Sequence, residues 1–180
     1  MICHDLLPAF EDFFGKVKVG FTLSPHDWRL IPFIAARHVP STCCAHVYGG
    51  LLRADLGSAD AVLAVLRDYR TAGLTDRDVA MLAFAETVVA NASAVTRLRA
   101  AGLTDPQISD IALCASLRCF MSRFFDATGA APESFFLDAD ERVRTALTVG
   151  KALGSMRERI RLTFAAKVLI MFLPSLQAAG

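Results

Sequence analysis

Helix start signals recur along this chain, and apolar residues at the spacing of an α-helix follow each one. Ser58 precedes such an apolar stripe, and Thr75 precedes an acidic first turn that suits the positive end of a helix dipole. Thr104-Asp105-Pro106-Gln107 has the pattern of a capping box with proline at the first helical position. Gly73 and Gly102 fall where helices should end. The signals therefore predict a series of amphipathic helices.

Strand signals are missing from the sequence. No segment alternates apolar and polar residues over the length of a β-strand, and Val, Ile and Thr do not cluster. We therefore expect an all-α fold of seven or eight helices, and 180 residues favour a single domain over residues 1–180. The helix after Thr104 should end near Gly129, and two further helices are predicted over about residues 140–147 and 155–173.

Charge and cysteine content bear on the class of protein. The 19 Lys and Arg residues nearly balance the 18 Asp and Glu residues, so nothing indicates a basic surface for nucleic acid. The first ten residues lack the basic start and long apolar core of a secretory signal. Together with an odd number of cysteines, five, this predicts reduced thiols and a cytoplasmic location. The most apolar stretch, residues 162–173, is too short to span a bilayer, so no membrane association is expected.

The most informative segment contains two adjacent cysteines, Cys43 and Cys44. If Ser41 is the N-cap of a helix, Cys44 is the third helical residue. Its sulfur would then lie near unpaired backbone N–H groups and the positive helix end, which favours the nucleophilic thiolate. Tyr48 shares the face of Cys44, and His46 stands within reach of Cys43 as a partner that could activate a thiol. These five residues are the candidate catalytic residues.

Other interpretations of the cysteines are open at this point. Cysteine is among the most buried residue types, so Cys43 and Cys44 could be small core residues. A disulfide between them would distort the helix. A metal site is much less favoured because its ligands would have unusual spacing; they would be His38, Cys43, Cys44 and His46. Cys114 and Cys119 lie five residues apart on one predicted helix, and both are interpreted as core residues.

Several short motifs occur in a fixed order between about residues 23 and 150. They are Leu23-Ser24-Pro25, Val47-Tyr48-Gly49, Leu51-Leu52-Arg53-Ala54, Asp68-Tyr69-Arg70-Thr71, Leu74-Thr75, Met81-Leu82-Ala83-Phe84-Ala85-Glu86, Leu98-Arg99-Ala100-Ala101-Gly102-Leu103, Ser122-Arg123-Phe124-Phe125-Asp126-Ala127-Thr128-Gly129 and Ala146-Leu147-Thr148-Val149-Gly150. In their order and spacing the chain resembles the alkylhydroperoxidase D and carboxymuconolactone decarboxylase superfamily, specifically its peroxidase-related members. The resemblance implies a compact multi-helix bundle of the alkylhydroperoxidase D type, with its core at about residues 23–150.

The family pattern at the active site is Cys-x-x-Cys-x-x-x-His, with a glutamate about twelve residues before the first cysteine. In that family the second cysteine attacks the peroxide, the first forms the disulfide, and the histidine and glutamate relay protons. Aligned without gaps, the second cysteine falls on Cys44 and the first on Ser41, which cannot form a disulfide. The histidine falls on Tyr48, a poor base at neutral pH, and the glutamate on Arg29. One of the four functional positions therefore matches.

The resemblance implies a thiol-dependent (hydro)peroxide reductase, a peroxiredoxin-type oxidoreductase, weakened by these departures. It would act on a small-molecule peroxide, be reduced by an external thiol, and need no cofactor or metal. Cys43 and His46 would substitute for the missing residues, and the charge of Arg29 would help to hold a thiolate. The alternatives are a non-catalytic oligomeric helical protein that kept the fold, and a carboxymuconolactone decarboxylase-like enzyme.

The chain is expected to form a homo-oligomer. Hydrophobic residues make up 54% of it, against about 45–50% in a typical globular chain. The six consecutive apolar residues 168–173 would make a helix that is apolar all round, and such a helix must be covered on every side. A second subunit is the favoured cover, and folding back onto the chain's own core is the alternative. Light scattering at micromolar concentration tests this, and a clean monomer would contradict it. Removal of residues 155–180 should give a smaller species or an aggregate.

Overall fold

Eight α-helices and one 3-10 helix form the part of the chain described by the computed structural model, residues 7–89 and 95–153. The α-helices are α1 (Leu7–Gly20), α2 (Pro25–His38), α3 (Thr42–Leu56), α4 (Ala59–Asp68), α5 (Asp76–Val89), α6 (Val95–Ala100), α7 (Asp105–Thr128) and α8 (Glu141–Leu147), and the 3-10 helix is Ser134–Phe136. No β-strand occurs in these ranges. The predicted all-α fold is therefore confirmed.

Side-chain caps determine where several helices begin. The Ser24 hydroxyl accepts a hydrogen bond from the Asp27 backbone, and the Asp27 carboxylate accepts one from the Ser24 backbone, which closes a capping box at α2. Thr104 and Gln107 close the same motif at α7, as predicted. The Ser58 hydroxyl caps α4, also as predicted.

The predicted helix ends agree with the structure. Helix α7 ends at Thr128, and Gly129 follows it with a φ of 71°, in the left-handed region that favours glycine. Gly73 and Gly102 also adopt positive φ, in the turns after α4 and α6. The Asp140 carboxylate caps α8, which confirms the helix predicted near residues 140–147.

Helix α2 lies at the centre of the bundle and packs against α3, α5 and α7. Its residues 30–36 are all buried, which is the pattern of a helix covered on every side. Helices α5 and α7 also pack against each other, and α3 contacts α7. As a result the first half of α3 lies in the interior, and residues 41–49 are all buried. The two adjacent cysteines are therefore core residues by position.

Some predictions lie outside the described residues. These are the apolar stretch at 162–173, the helix at 155–173 that contains it, and Cys3. Within residues 7–89 and 95–153, no helix combines the length and apolarity needed to cross a membrane.

A buried ion pair joins α2 to α5. The Arg77 guanidinium donates to both carboxylate oxygens of Asp27, each at 2.9 Å, and the Asp27 side chain is almost fully buried. Burial alone would raise the pKa of Asp27, but the hydrogen bonds and charge of Arg77 and the Ser24 cap lower it below the ordinary value. The same carboxylate therefore caps α2 and ties α2 to α5.

The packing of residues 148–151 over the start of α3 holds that helix in place. The Thr42 hydroxyl donates to the Lys151 carbonyl at 2.8 Å and accepts from the Gly150 backbone at 3.0 Å. Lys151 reaches the Asp126 carbonyl at 2.6 Å. Gly150 lies so close to the chain that an added Cβ would be 2.4 Å from the Pro40 carbonyl oxygen. We call residues 148–151 the strap.

Replacement of Asp27 by Asn should destabilise the protein in a pH-dependent way. Because the folded pKa of Asp27 is lowered, its ionised form contributes stability above the unfolded value, near 3.9, and the contribution is lost as pH falls through the folded value. Losing hydrogen bonds to a charged group costs about 1.5–3 kcal/mol. Urea unfolding should therefore show a clear loss at pH 7 that shrinks toward pH 3. An equal loss at both pH values would contradict this role.

Replacement of Gly150 by Ala should destabilise the strap. A new Cβ at 2.4 Å from a backbone oxygen forces the chain to move, and overpacking of this kind costs about 1–3 kcal/mol. Gly20→Ala is the matched control, because nothing lies within 4 Å of a Cβ at that position. Urea unfolding compares the two variants. Equal stability of both would show that the strap is not tightly packed.

Candidate functional site

The start of α3 is only partly as predicted. Helix α3 begins at Thr42, so Cys44 is its third residue, as expected. Ser41 occupies the N-cap position, but its hydroxyl makes no capping hydrogen bond and instead donates to the Asp126 carboxylate at 3.1 Å. The prediction that the Ser41 side chain caps α3 is therefore wrong. The hydroxyl proton of Ser41 points to α7, because the Asp126 carboxylate is a strong hydrogen-bond acceptor.

Arg118 of α7 donates to the sulfur of Cys44. The distance from its Nη1 to Cys44 Sγ is 3.0 Å, and both residues are buried, with 4% and 1% of their surface exposed. Burial opposes the charge of Arg118, but neighbouring Tyr48 and Cys44 raise its pKa above the ordinary value, so it stays protonated. The Cys44 sulfur therefore lies beside a buried positive charge.

The Arg118 guanidinium lies over the ring of Tyr48. The Arg118 Cζ lies 4.6 Å from the centroid of the Tyr48 ring, the geometry of a cation–π contact. The Trp28 ring meets the Tyr48 ring edge-on, with centroids 6.4 Å apart. Burial raises the pKa of the Tyr48 hydroxyl, which therefore stays protonated. We call Cys44, Arg118, Tyr48 and Trp28 the arginine–thiol cluster.

A narrow cleft opens onto the arginine–thiol cluster. Its lining is apolar apart from the Arg118 guanidinium, the Tyr48 hydroxyl and one thiol; it consists of Phe21, Trp28, Pro32, Tyr48, Cys114, Leu117 and Arg118. Its volume is about 10 Å³, close to the least that holds one water molecule. A molecule larger than water therefore enters the cleft only when its side chains move.

The other three described cysteines have pKa values raised by burial. Burial, and then the neighbouring Cys44, raise the pKa of Cys43 far above its ordinary value. Burial raises the pKa of Cys114 to about 12, consistent with the predicted core position. Cys119 is only partly buried, so its prediction as a core residue is wrong, because it lies toward the surface side of α7. All four described cysteines are free thiols.

His46 faces away from the arginine–thiol cluster. It is fully buried, and its Nε2 lies 3.3 Å from the Thr148 hydroxyl. Thr148 gives its proton to the Arg144 carbonyl, so we assign the His46 Nε2 as the donor. Burial, and then the charge of Arg144, lower the pKa of His46 to about 4, so it is neutral at pH 7. The structure thus brings His46 to the strap.

Arg29, which was predicted to help to hold a thiolate, forms an ion pair with another residue. It pairs with the Asp55 carboxylate at 2.5 Å, so its proposed role beside Cys44 is wrong. The residue that takes this role, Arg118, was not predicted. A signal was present in the sequence, since Arg118 follows Cys114 by four residues and so shares its face of α7. An arginine on a core-facing stripe requires a buried acceptor.

The alternative of a metal site finds no support. The His38 ring lies 3.0 Å from Glu86 Oε1, and His46 contacts the strap. In the ranges 7–89 and 95–153, no group of three or more His, Cys, Asp or Glu side chains is placed to hold a metal ion.

Comparison with known proteins shows that the chain shares its fold with a solved structure. No protein-family model matches the sequence, and no curated protein matches it either. A solved structure does match: the crystal structure of an uncharacterized peroxidase-related protein from Silicibacter sp. TM1040. The two chains are 24% identical, the match covers 72% of this chain and 71% of that one, and the TM-score is 0.64. The chain therefore has the fold of this peroxidase-related protein.

Proposed function

We propose that this protein is a thiol-dependent hydroperoxide reductase in which Cys44 attacks the peroxide. The observation that carries the proposal is the 3.0 Å contact between Arg118 Nη1 and Cys44 Sγ. The thiolate is the nucleophilic form of cysteine, and a buried guanidinium stabilises it. The fold shared with a peroxidase-related protein supports the same conclusion.

The reaction needs only the thiol, a hydroperoxide and an external thiol. The Cys44 thiolate attacks the distal oxygen of ROOH, so that an S–O bond forms and the O–O bond breaks. The alkoxide leaves with the bonding electrons and takes a proton from solvent to become the alcohol. An external thiol then condenses with the sulfenic acid of Cys44 and releases water. A second external thiol displaces Cys44, which gives an external disulfide and restores the thiol.

Resolution by an external thiol follows from the residues around Cys44. Ser41, at the position of the family's first cysteine, has a hydroxyl that is engaged with Asp126. Cys43 is buried and its pKa is strongly raised, so it supplies little thiolate for attack on a sulfenic acid. The external reductant therefore performs both reductive steps.

Burial makes this a slow enzyme. Cys44 is 1% exposed, and the cleft lined by Tyr48 and Arg118 has room for about one water molecule. Reaction therefore waits for the cleft to open, and the opening limits the rate with every peroxide.

Replacement of Cys44 by Ser should abolish peroxide reduction. Replacement of Arg118 by Met should lower the rate of Cys44 oxidation by about tenfold to a hundredfold, since a hydrogen bond to a charged group is worth about 1.5–3 kcal/mol. Methionine keeps much of the apolar packing of the arginine stem and removes its charge. Cys119→Ser is the matched control and should keep wild-type activity. Peroxide consumption with dithiothreitol and sulfenic acid mapping by mass spectrometry measure both effects.

Two outcomes would contradict the proposal. One is full activity in the Cys44→Ser variant. The other is sulfenic acid formation at Cys119 or Cys114 but not at Cys44. Either result would place the peroxide chemistry on a residue other than Cys44.

A further inference from the structure

Tyr48 stands where the resembling family has a histidine, yet its contacts are not those of a proton carrier. It follows Cys44 by four residues, so both side chains lie on the same face of α3. The contact it makes with Arg118 uses the ring face, 4.6 Å from Cζ. Trp28 packs edge-on against the same ring and fixes its orientation.

We propose that Tyr48 is a positioning residue that holds the Arg118 guanidinium against the Cys44 sulfur through the face of its ring, and not through its hydroxyl. This inference rests on the proposed function of Cys44.

The physical reason lies in the freedom of a long side chain. Arginine has many rotamers, and only some of them place the guanidinium beside the Cys44 sulfur. A desolvated cation–π contact is worth about 2 kcal/mol and requires the guanidinium to lie over the ring. Tyr48 is 2% exposed, so water does not weaken this contact. The ring therefore keeps the charge beside the sulfur, whereas the protonated hydroxyl is a poor base.

The test compares a variant that keeps the ring with one that removes it. Tyr48→Phe removes only the hydroxyl and should change the rate of Cys44 alkylation by iodoacetamide at pH 7, and of sulfenic acid formation by hydrogen peroxide, by less than about threefold. Tyr48→Leu removes the ring and should lower both rates by about tenfold or more. The ratio of Cys44 to Cys119 modification, read by mass spectrometry in the same molecules, serves as the internal reference.

The direction of the change separates positioning from a merely structural role. Loosening of the core exposes Cys44 and raises its modification rate, as Val65→Ala, a core substitution in α4, should show. The proposal requires the opposite, a lower rate. In the Arg118→Met background, Tyr48→Leu should lower the rate no further, because the residue that Tyr48 positions is gone. If Tyr48→Leu does not fold, Tyr48→Met provides the same comparison.

Two results would overturn the proposal. The first is an equal loss in Tyr48→Phe and Tyr48→Leu, which would assign the effect to the hydroxyl. The second is a wild-type rate in a folded Tyr48→Leu variant. If the wild-type protein forms no sulfenic acid at Cys44, the proposed function fails, while the alkylation rates still decide the role of Tyr48.

Discussion

A buried guanidinium is the constraint on which the centre of this molecule depends. Arg118 lies in the interface between α7 and α3, where a charge without partners would be strongly destabilising. The Cys44 sulfur and the Tyr48 ring, one helical turn apart on α3, provide two of its contacts. The Cys44 contact on which the proposed chemistry depends is therefore also part of the packing of the core. A substitution at Arg118, Cys44 or Tyr48 therefore changes the packing of the core and the surroundings of the thiol together.

The sequence predicted the parts of the structure that depend on neighbouring residues. The caps at Ser58 and Thr104 and the position of Cys44 as the third residue of α3 were correct because each is decided within a few residues. The errors involve partners far apart in the chain. Ser41 donates to a carboxylate 85 residues away, and Arg118 meets Cys44 across 74 residues. A single sequence contains no record of such pairs.

The pattern of the family that the chain resembles is matched at one of its four positions, and a positive charge lies against Cys44. Arg118 of α7 contributes this charge. Arg29, at the position of the family's glutamate, pairs with Asp55 instead. His46 is close in sequence to the cysteines, but it joins α3 to the strap through Thr148. Neither the motif position of Arg29 nor the closeness of His46 to the cysteines in sequence therefore predicts a contact with Cys44.

Cys43 and Cys44 are neighbours on one turn of α3, but their side chains point in different directions. Successive residues of a helix point about 100° apart, so Cys43 and Cys44 face different surroundings. Cys44 meets the Arg118 guanidinium at 3.0 Å. For Cys43, burial and the neighbouring sulfur outweigh the more distant Arg118 charge, and the carboxylates of Asp126 and Glu133 further oppose ionisation. Because both thiols are equally buried, exposure cannot distinguish them. The charge that each sulfur faces therefore distinguishes the two thiols, and it is the reason that the proposed function assigns the nucleophile to Cys44.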